Sequence, residues 1–317
     1  MGADLSFPQV EISPDRTYIV TGGNTGIGYC AATEIAQMGG HVIIACRNMS
    51  KAETAVKKMK EEYEKEFREK HKDLLDTKQE PRKLNLDIME LDLASFDKTM
   101  KFVEEFKARN CSLHGLICNA GIFMQEKVMT DDGYEMMLQS NYLSHLLIIL
   151  HFLPILQKSE EDARIVQTSS VAYEMGKFDE SNINADKSFS AFGFYSNSKL
   201  YQIMSMYWLT RHLKDKSVTI NSCHPGFVKT QMTESYWLMR MFIKVASRNP
   251  NDGASTIIKA AIDPSLKAQT GLYLADCKIK ATSSYSMNVE NQDKLMAYSF
   301  QVLENYLPQD IKEYVDM

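Results

Sequence analysis

The chain has 317 residues, 44% of them apolar and 24% charged, a composition that excludes a disordered chain, a collagen repeat or a disulfide scaffold. Thirty-six Lys and Arg against 41 Asp and Glu leave a formal charge of −5; this argues against a broad nucleic-acid interface, where displacing phosphate counterions needs a basic surplus. The length suits two domains of about 150 residues or one larger α/β unit equally well.

In chain order, Met1 to Asp15 is too short and polar for a signal peptide or an anchor. Gly2 followed by Ser6 fits an N-myristoylation pattern, so an acylated start stands beside the plainer reading of an arm over 1–14. Short apolar runs then alternate with helical patterns. Strands are predicted at Tyr18–Val20, Val42–Ala45, Ile88–Leu91, Gly115–Cys118, Ile165–Val166, Val218–Ile220 and Leu272–Leu274. Continuous apolar strands separated by helices predict a parallel sheet covered on both faces. Residues 51–83 depart from this rhythm: Glu, Lys and Arg dominate, with Ala52, Ala55, Val56, Met59, Tyr63 and Phe67 at helical spacing and Glu53/Lys57 and Glu61/Lys65 four apart. They read as a long amphipathic helix with a solvated outer end, or as a partner-docking arm. The charge-free stretch from Asn141 to Gln157 falls short of the roughly 20 residues of a bilayer span and holds His145, His151 and Pro154, so a buried helix is expected. Six scattered cysteines without a CxxC pair and seven dispersed histidines give reduced thiols and no metal site.

The first strand runs into Thr21-Gly22-Gly23-Asn24-Thr25-Gly26-Ile27-Gly28, and a helix with Ala31, Ile35 and Met38 on one face follows until Gly39-Gly40. A glycine-rich strand-to-helix turn lets backbone approach a diphosphate and aims the helix N-terminus at its charge. A purely structural turn is the competing reading. The second strand ends Ala45-Cys46-Arg47, with no acid to bind a ribose 2′-hydroxyl. Arg47, helped by Lys51, can instead pair with a 2′-phosphate, which favours NADP(H) over NAD(H); stacking of Arg47 on adenine is the alternative.

Tyr195 and Lys199 stand four apart, on one face of a helix running to Leu213. A neighbouring ammonium favours the phenolate, so the pair makes an acid/base for a hydroxyl or carbonyl. Thr168-Ser169-Ser170 and Asn119-Ala120-Gly121 close two predicted strands at the sheet edge where ligands bind, and Asn141 lies on the helix between them.

These residues resemble the short-chain dehydrogenase/reductase family, and within it the retinol dehydrogenase-like group. The likeness runs from about Asp15 to Cys277 and includes Asp92-Leu93, Asn141-Tyr142-Leu143, His224-Pro225-Gly226 and Asn251 to Ala254. Cys118 and Ser144 stand where the family commonly has Asn and Gly. The resemblance implies that Tyr195 exchanges the hydroxyl proton, Lys199 lowers its pKa and binds the nicotinamide ribose, Ser170 hydrogen-bonds the substrate oxygen, and Asn141 holds a water in a proton relay. Ser170 is preferred to Ser169 because it lies 25 residues before Tyr195, a spacing similar to the group's. Asp92 and Leu93 would contact adenine, Asn119, Ala120 and Gly121 would line the cofactor groove, and Pro225, Gly226, Val228 and Thr230 would flank the nicotinamide end.

The apolar stretch from Tyr236 to Ile243, with Trp237 touching substrate, is placed to act as a lid over a lipophilic ligand; packing on the core or contact with a membrane surface are its other readings. The expectation is a doubly wound, Rossmann-like α/β single domain over 15–280 with a small lid at about 231–250 and a C-terminal tail over 281–317. Its activity would be NADP(H)-dependent interconversion of a small lipophilic carbonyl and its alcohol in the cytoplasm, without nucleic acid or a transmembrane segment, and with peripheral membrane contact through Gly2 or the lid. A homodimer through the 141–157 helix and the Tyr195 helix is the assembly the resemblance suggests. A non-catalytic NADP(H)-binding regulatory protein is the alternative, and sugar-nucleotide epimerases, which share YxxxK, are a more distant one.

Overall fold

A computed structural model describes residues 5–70, 80–159, 162–213, 217–228 and 248–315. The predicted strands form β1 (Thr17–Thr21), β2 (His41–Cys46), β3 (Leu86–Glu90), β4 (Gly115–Cys118), β5 (Ala163–Thr168), β6 (Val218–His224) and β7 (Tyr273–Ala275). All seven pair in parallel in the order β3-β2-β1-β4-β5-β6-β7, and an antiparallel edge strand β8 (Lys278–Lys280) closes the sheet. The order reverses between β1 and β4, and a crevice opens outside the strand ends at such a switch point.

Side chains alternate across each strand, so the continuous apolar runs feed two cores. Ile19, Ile43 and Ile165 join the cluster of α3 (Phe96–Ala108), α4 (Ser144–Lys158) and α5 (Ala191–His212). Val20, Ile44 and Val166 join that of α1 (Gly26–Gln37), α2 (Met49–Lys70) and α6 (Pro250–Ile262). The helices start where the sequence supplies caps. Ser95 and Ser190 accept from backbone N–H groups of α3 and α5, and Asn249 caps α6 ahead of Pro250. The charged helix α2 buries Ala52, Ala55 and Met59, while Lys57–Glu61 and Lys58–Glu62 pair along its outer face.

Beyond the last strand, α7 (Val289–Val302) lies along α5, burying Leu295 and Met296 in the core that contains Tyr142 and Tyr201. The Tyr142 hydroxyl meets Ser299 Oγ at 2.8 Å. His151 Nε2 donates to the Tyr306 carbonyl at 2.7 Å, and α8 (Gln309–Lys312) buries Ile311 against α4. The segment read as a tail thus packs on both helices named above as a pairing surface. No helix among the described residues is long and apolar enough to cross a membrane, and no metal-holding cluster occurs among them. The expected lid over 231–250 lies outside the described residues except for its last three positions, and Gly2 lies outside them too.

Candidate active site

The first helix is built to meet a negative charge. Gly22 and Gly26 take positive φ, +66° and +58°, which side-chain-bearing residues rarely adopt. A Cβ on Gly28 would fall 2.4 Å from Asn119 Nδ2 and 2.5 Å from the Gly22 carbonyl oxygen. Thr25 makes no side-chain cap, and no acid occupies the first turn of α1, so its leading N–H groups have no carboxylate competing for them. Asn24, Thr25 and Ile27 line this turn, with Thr25 exposed. Asn119 ties the turn to β4 by donating from Nδ2 to the Thr21 carbonyl at 2.9 Å. Thr21 Oγ1 accepts from the N–H groups of Asn119 and Ala120, each at 2.9 Å.

Arg47 is exposed just past β2. Asp92 follows β3, accepting from the Ala94 N–H and pairing with Lys98 at 3.1 Å; Leu93 beside it is half-buried. Gly121, exposed after β4, faces the acid/base pair: a Cβ there would stand 3.3 Å from Lys199 Nζ. Pro225, Gly226 and Val228 follow β6. Gly226 has φ +87°, and Arg248 packs under it, its N–H donating to the Phe227 carbonyl and its guanidinium pairing with Asp276 at 2.6 Å. Thr230 and Trp237 lie outside the described residues. These glycines leave the backbone clearance that a dinucleotide diphosphate needs, and the uncapped α1 terminus faces it, so the residues fit such a cofactor.

Tyr195 and Lys199 are buried on α5, 5% and 4% exposed, with Lys199 Nζ 5.7 Å from the Tyr195 ring centre. The half-buried Ser170, at the end of β5, stands beside the Tyr195 phenol. Ser169 turns the other way, its Oγ donating to the Lys199 carbonyl at 2.8 Å. Burial pushes the phenol up to about 12, with the neighbouring Ser170 hydroxyl acting against that rise. It also brings the Lys199 ammonium down to about 8. The direction at Tyr195 is opposite to the lowering expected from an adjacent ammonium, because burial of the charged form is the largest influence on the phenol. Asn141 sits in a π-helical turn (Leu138–Leu143) leading into α4. Its side chain exchanges hydrogen bonds with the backbone of Ile122 at 2.8 and 2.9 Å and donates to Ser198 Oγ at 3.0 Å.

Around the phenol, Phe123, Met137, Ala172, Ala185 and Phe194 form an apolar wall, with Phe123 edge-on to Tyr195 at 5.5 Å. Sequence reasoning missed this wall and Arg248; the apolar run Ile122-Phe123-Met124 directly after Gly121 was the available signal.

The profile of the short chain dehydrogenase family matches residues 16–82 and 67–240. The chain belongs to the short-chain dehydrogenase/reductase family. Within that family it falls in the retinol dehydrogenase-like group. It is 34% identical to human polyprenol dehydrogenase, over 90% of this chain and 84% of that one. It is 32% identical to human retinol dehydrogenase 11, over 87% and 81%. The fold is shared with the Pseudomonas aeruginosa RhlG/NADP active-site complex, at a TM-score of 0.60 and 19% identity over 87% of this chain and 97% of that one. This is a family of oxidoreductases that bind NAD(P)(H) and act on small substrates.

Proposed function

We propose that the protein uses NADP(H) to interconvert a lipophilic aldehyde or ketone with its alcohol, Tyr195 being the acid/base. The observation that carries this is the buried Tyr195–Lys199 pair on α5, with Ser170 beside the phenol and an apolar wall around it at the sheet's carboxyl edge. When bound, the nicotinamide cofactor supplies or accepts the hydride. Gly22, Asn24, Thr25, Gly26, Ile27 and Gly28 would hold its diphosphate, Asp92 and Leu93 its adenine, and Asn119, Ala120, Gly121, Pro225, Gly226, Val228 and Thr230 the remainder.

In reduction Tyr195 breaks its own O–H bond and gives the proton to the carbonyl oxygen. Its raised pKa keeps that proton in place at neutral pH. Ser170 Oγ donates to the same oxygen as negative charge develops there, and the Lys199 ammonium favours the phenolate left behind. Phe123, Met137 and Phe194 offer apolar surface to the rest of the substrate, with Trp237 proposed to add to it. The relatives named for polyprenol and for retinol, both lipophilic alcohols, support this substrate class.

The choice of NADP(H) rests on Arg47, exposed and free of any acid at the end of β2. It is tested by following NADPH and NADH oxidation with retinal, long-chain aldehydes and steroid ketones. Turnover of at least one carbonyl with NADPH is expected, and Arg47→Glu should cut the NADPH-over-NADH preference about tenfold or more. Equal use of both cofactors, unchanged by that substitution, would contradict the cofactor assignment.

A further inference from the structure

A buried ammonium carries three donors and needs acceptors for them. Lys199 Nζ donates to the Thr168 carbonyl at 2.9 Å and to Gln202 Oε1 at 3.4 Å. Gln202 stands one helical turn along α5 from Lys199 and is 0% exposed. Its Nε2 donates to the Asn141 carbonyl at 2.8 Å. The two contacts fix the carboxamide's orientation, since a flip would set its NH2 against the ammonium and its oxygen against another carbonyl oxygen.

The Asn141 carbonyl is also 3.2 Å from His145 Nδ1. A carbonyl can only accept, so Nδ1 carries the proton, and both lone pairs of that oxygen then face protein donors. His145 Nε2 lies 3.0 Å from Thr21 Oγ1, whose hydroxyl oxygen already accepts from Asn119 and Ala120. Burial holds His145 down to about 4, so the ring is neutral and Nε2 accepts.

We infer that Gln202 is a positioning residue for the acid/base pair: its carboxamide stands between the Lys199 ammonium and the Asn141 carbonyl and tethers Lys199 through His145 and Thr21 to the glycine turn. The inference rests on the Tyr195/Lys199 reading above. The titratable groups facing Lys199 are Tyr195 on its own helix, His145 from α4 and Cys223 from β6. Burial keeps His145 neutral and pushes the Cys223 thiol up to about 12. The charge at Lys199 is therefore held by neutral acceptors, and Gln202 is the side chain among them.

The test is the pH profile of kcat/KM for NADPH-dependent reduction of the best carbonyl from the panel, in wild type, Gln202→Leu and Gln202→Glu. Leucine removes the acceptor, so the basic limb set by Lys199 should move down by about one pH unit, the size of a lost hydrogen bond to a charged group. Glutamate places an anion beside the ammonium, so the same limb should move up. Opposite displacements distinguish a role acting on Lys199 from a packing role, which would move neither limb. If one variant fails to fold, the direction in the other decides.

A limb that stays at the wild-type position, or moves in the same direction in both variants, overturns the assignment of Gln202. Tyr195→Phe serves as the control. A Tyr195→Phe enzyme that still turns over would bring down the underlying acid/base reading. An inactive Tyr195→Phe with unmoved Gln202 limbs would remove the Gln202 inference alone.

Discussion

At Gly28 the absence of a side chain lets the first helix begin against the β4 connection. A Cβ there would meet Asn119 Nδ2 and the Gly22 carbonyl, both closer than 2.6 Å. Neither can withdraw easily, because Asn119 is tied to the Thr21 carbonyl and Gly22 is backbone. Gly28→Ala is therefore expected to lower stability by about 1–3 kcal/mol and weaken NADPH binding at least tenfold, read by thermal melts and a fluorescence titration; an unchanged melt would show that the turn can rearrange.

Residues of this kind were legible in the sequence because their signal is local. The glycine spacing and the four-residue step from Tyr195 to Lys199 need no knowledge of the fold. Gln202, His145 and Phe123 were not legible, since each acquires its role only when α4, α5 and the loop after β4 are brought together. The upward direction of the Tyr195 shift was not legible for a related reason. A neighbouring lysine is visible in sequence, but the burial that raises the phenol is not.

Helix α5 works on two faces. One carries Tyr195 and Lys199; another is packed by α7, with Trp208 edge-on to Phe300 at 5.5 Å and Arg211 paired with Asp293 at 3.0 Å. Leu295 and Met296 seal this seam at 0% and 1% exposure. Leu295→Ala should cost about 2–5 kcal/mol in chemical denaturation, and a loss below 1 kcal/mol would mean that α7 is dispensable to the core. The segment reads as a tail in sequence because it is poor in long apolar runs, and its few buried residues find their partners on elements distant in sequence, among them α5 and the π-helical turn before α4. The parallel strands were readable because burial on both faces forces continuous apolar runs. Strand β8 escaped because Lys278-Ile279-Lys280 is short, exposed and flanked by charge, as edge strands often are.

At the scale of the whole molecule, the ambiguity between two domains and one is resolved by the sheet. The family profile spans 16–240, and the chain beyond it adds β7, β8 and α7 to the same sheet and core. Groups far apart in sequence converge because a parallel sheet delivers every strand's carboxyl end to one edge. Gly22, Asn119, Ser170 and Pro225 each follow a different strand of that edge, and α5 lays Tyr195 and Lys199 across it. One centre is therefore expected in which cofactor binding and proton transfer are separable. The most direct measurement compares NADPH affinity and NADPH-dependent carbonyl reduction in wild type and Tyr195→Phe. The expected result is a dissociation constant within about threefold of wild type, with turnover lowered by at least about 100-fold, the scale of a lost general acid. Turnover retained by Tyr195→Phe, or NADPH binding by wild type with no turnover of any carbonyl, would contradict it.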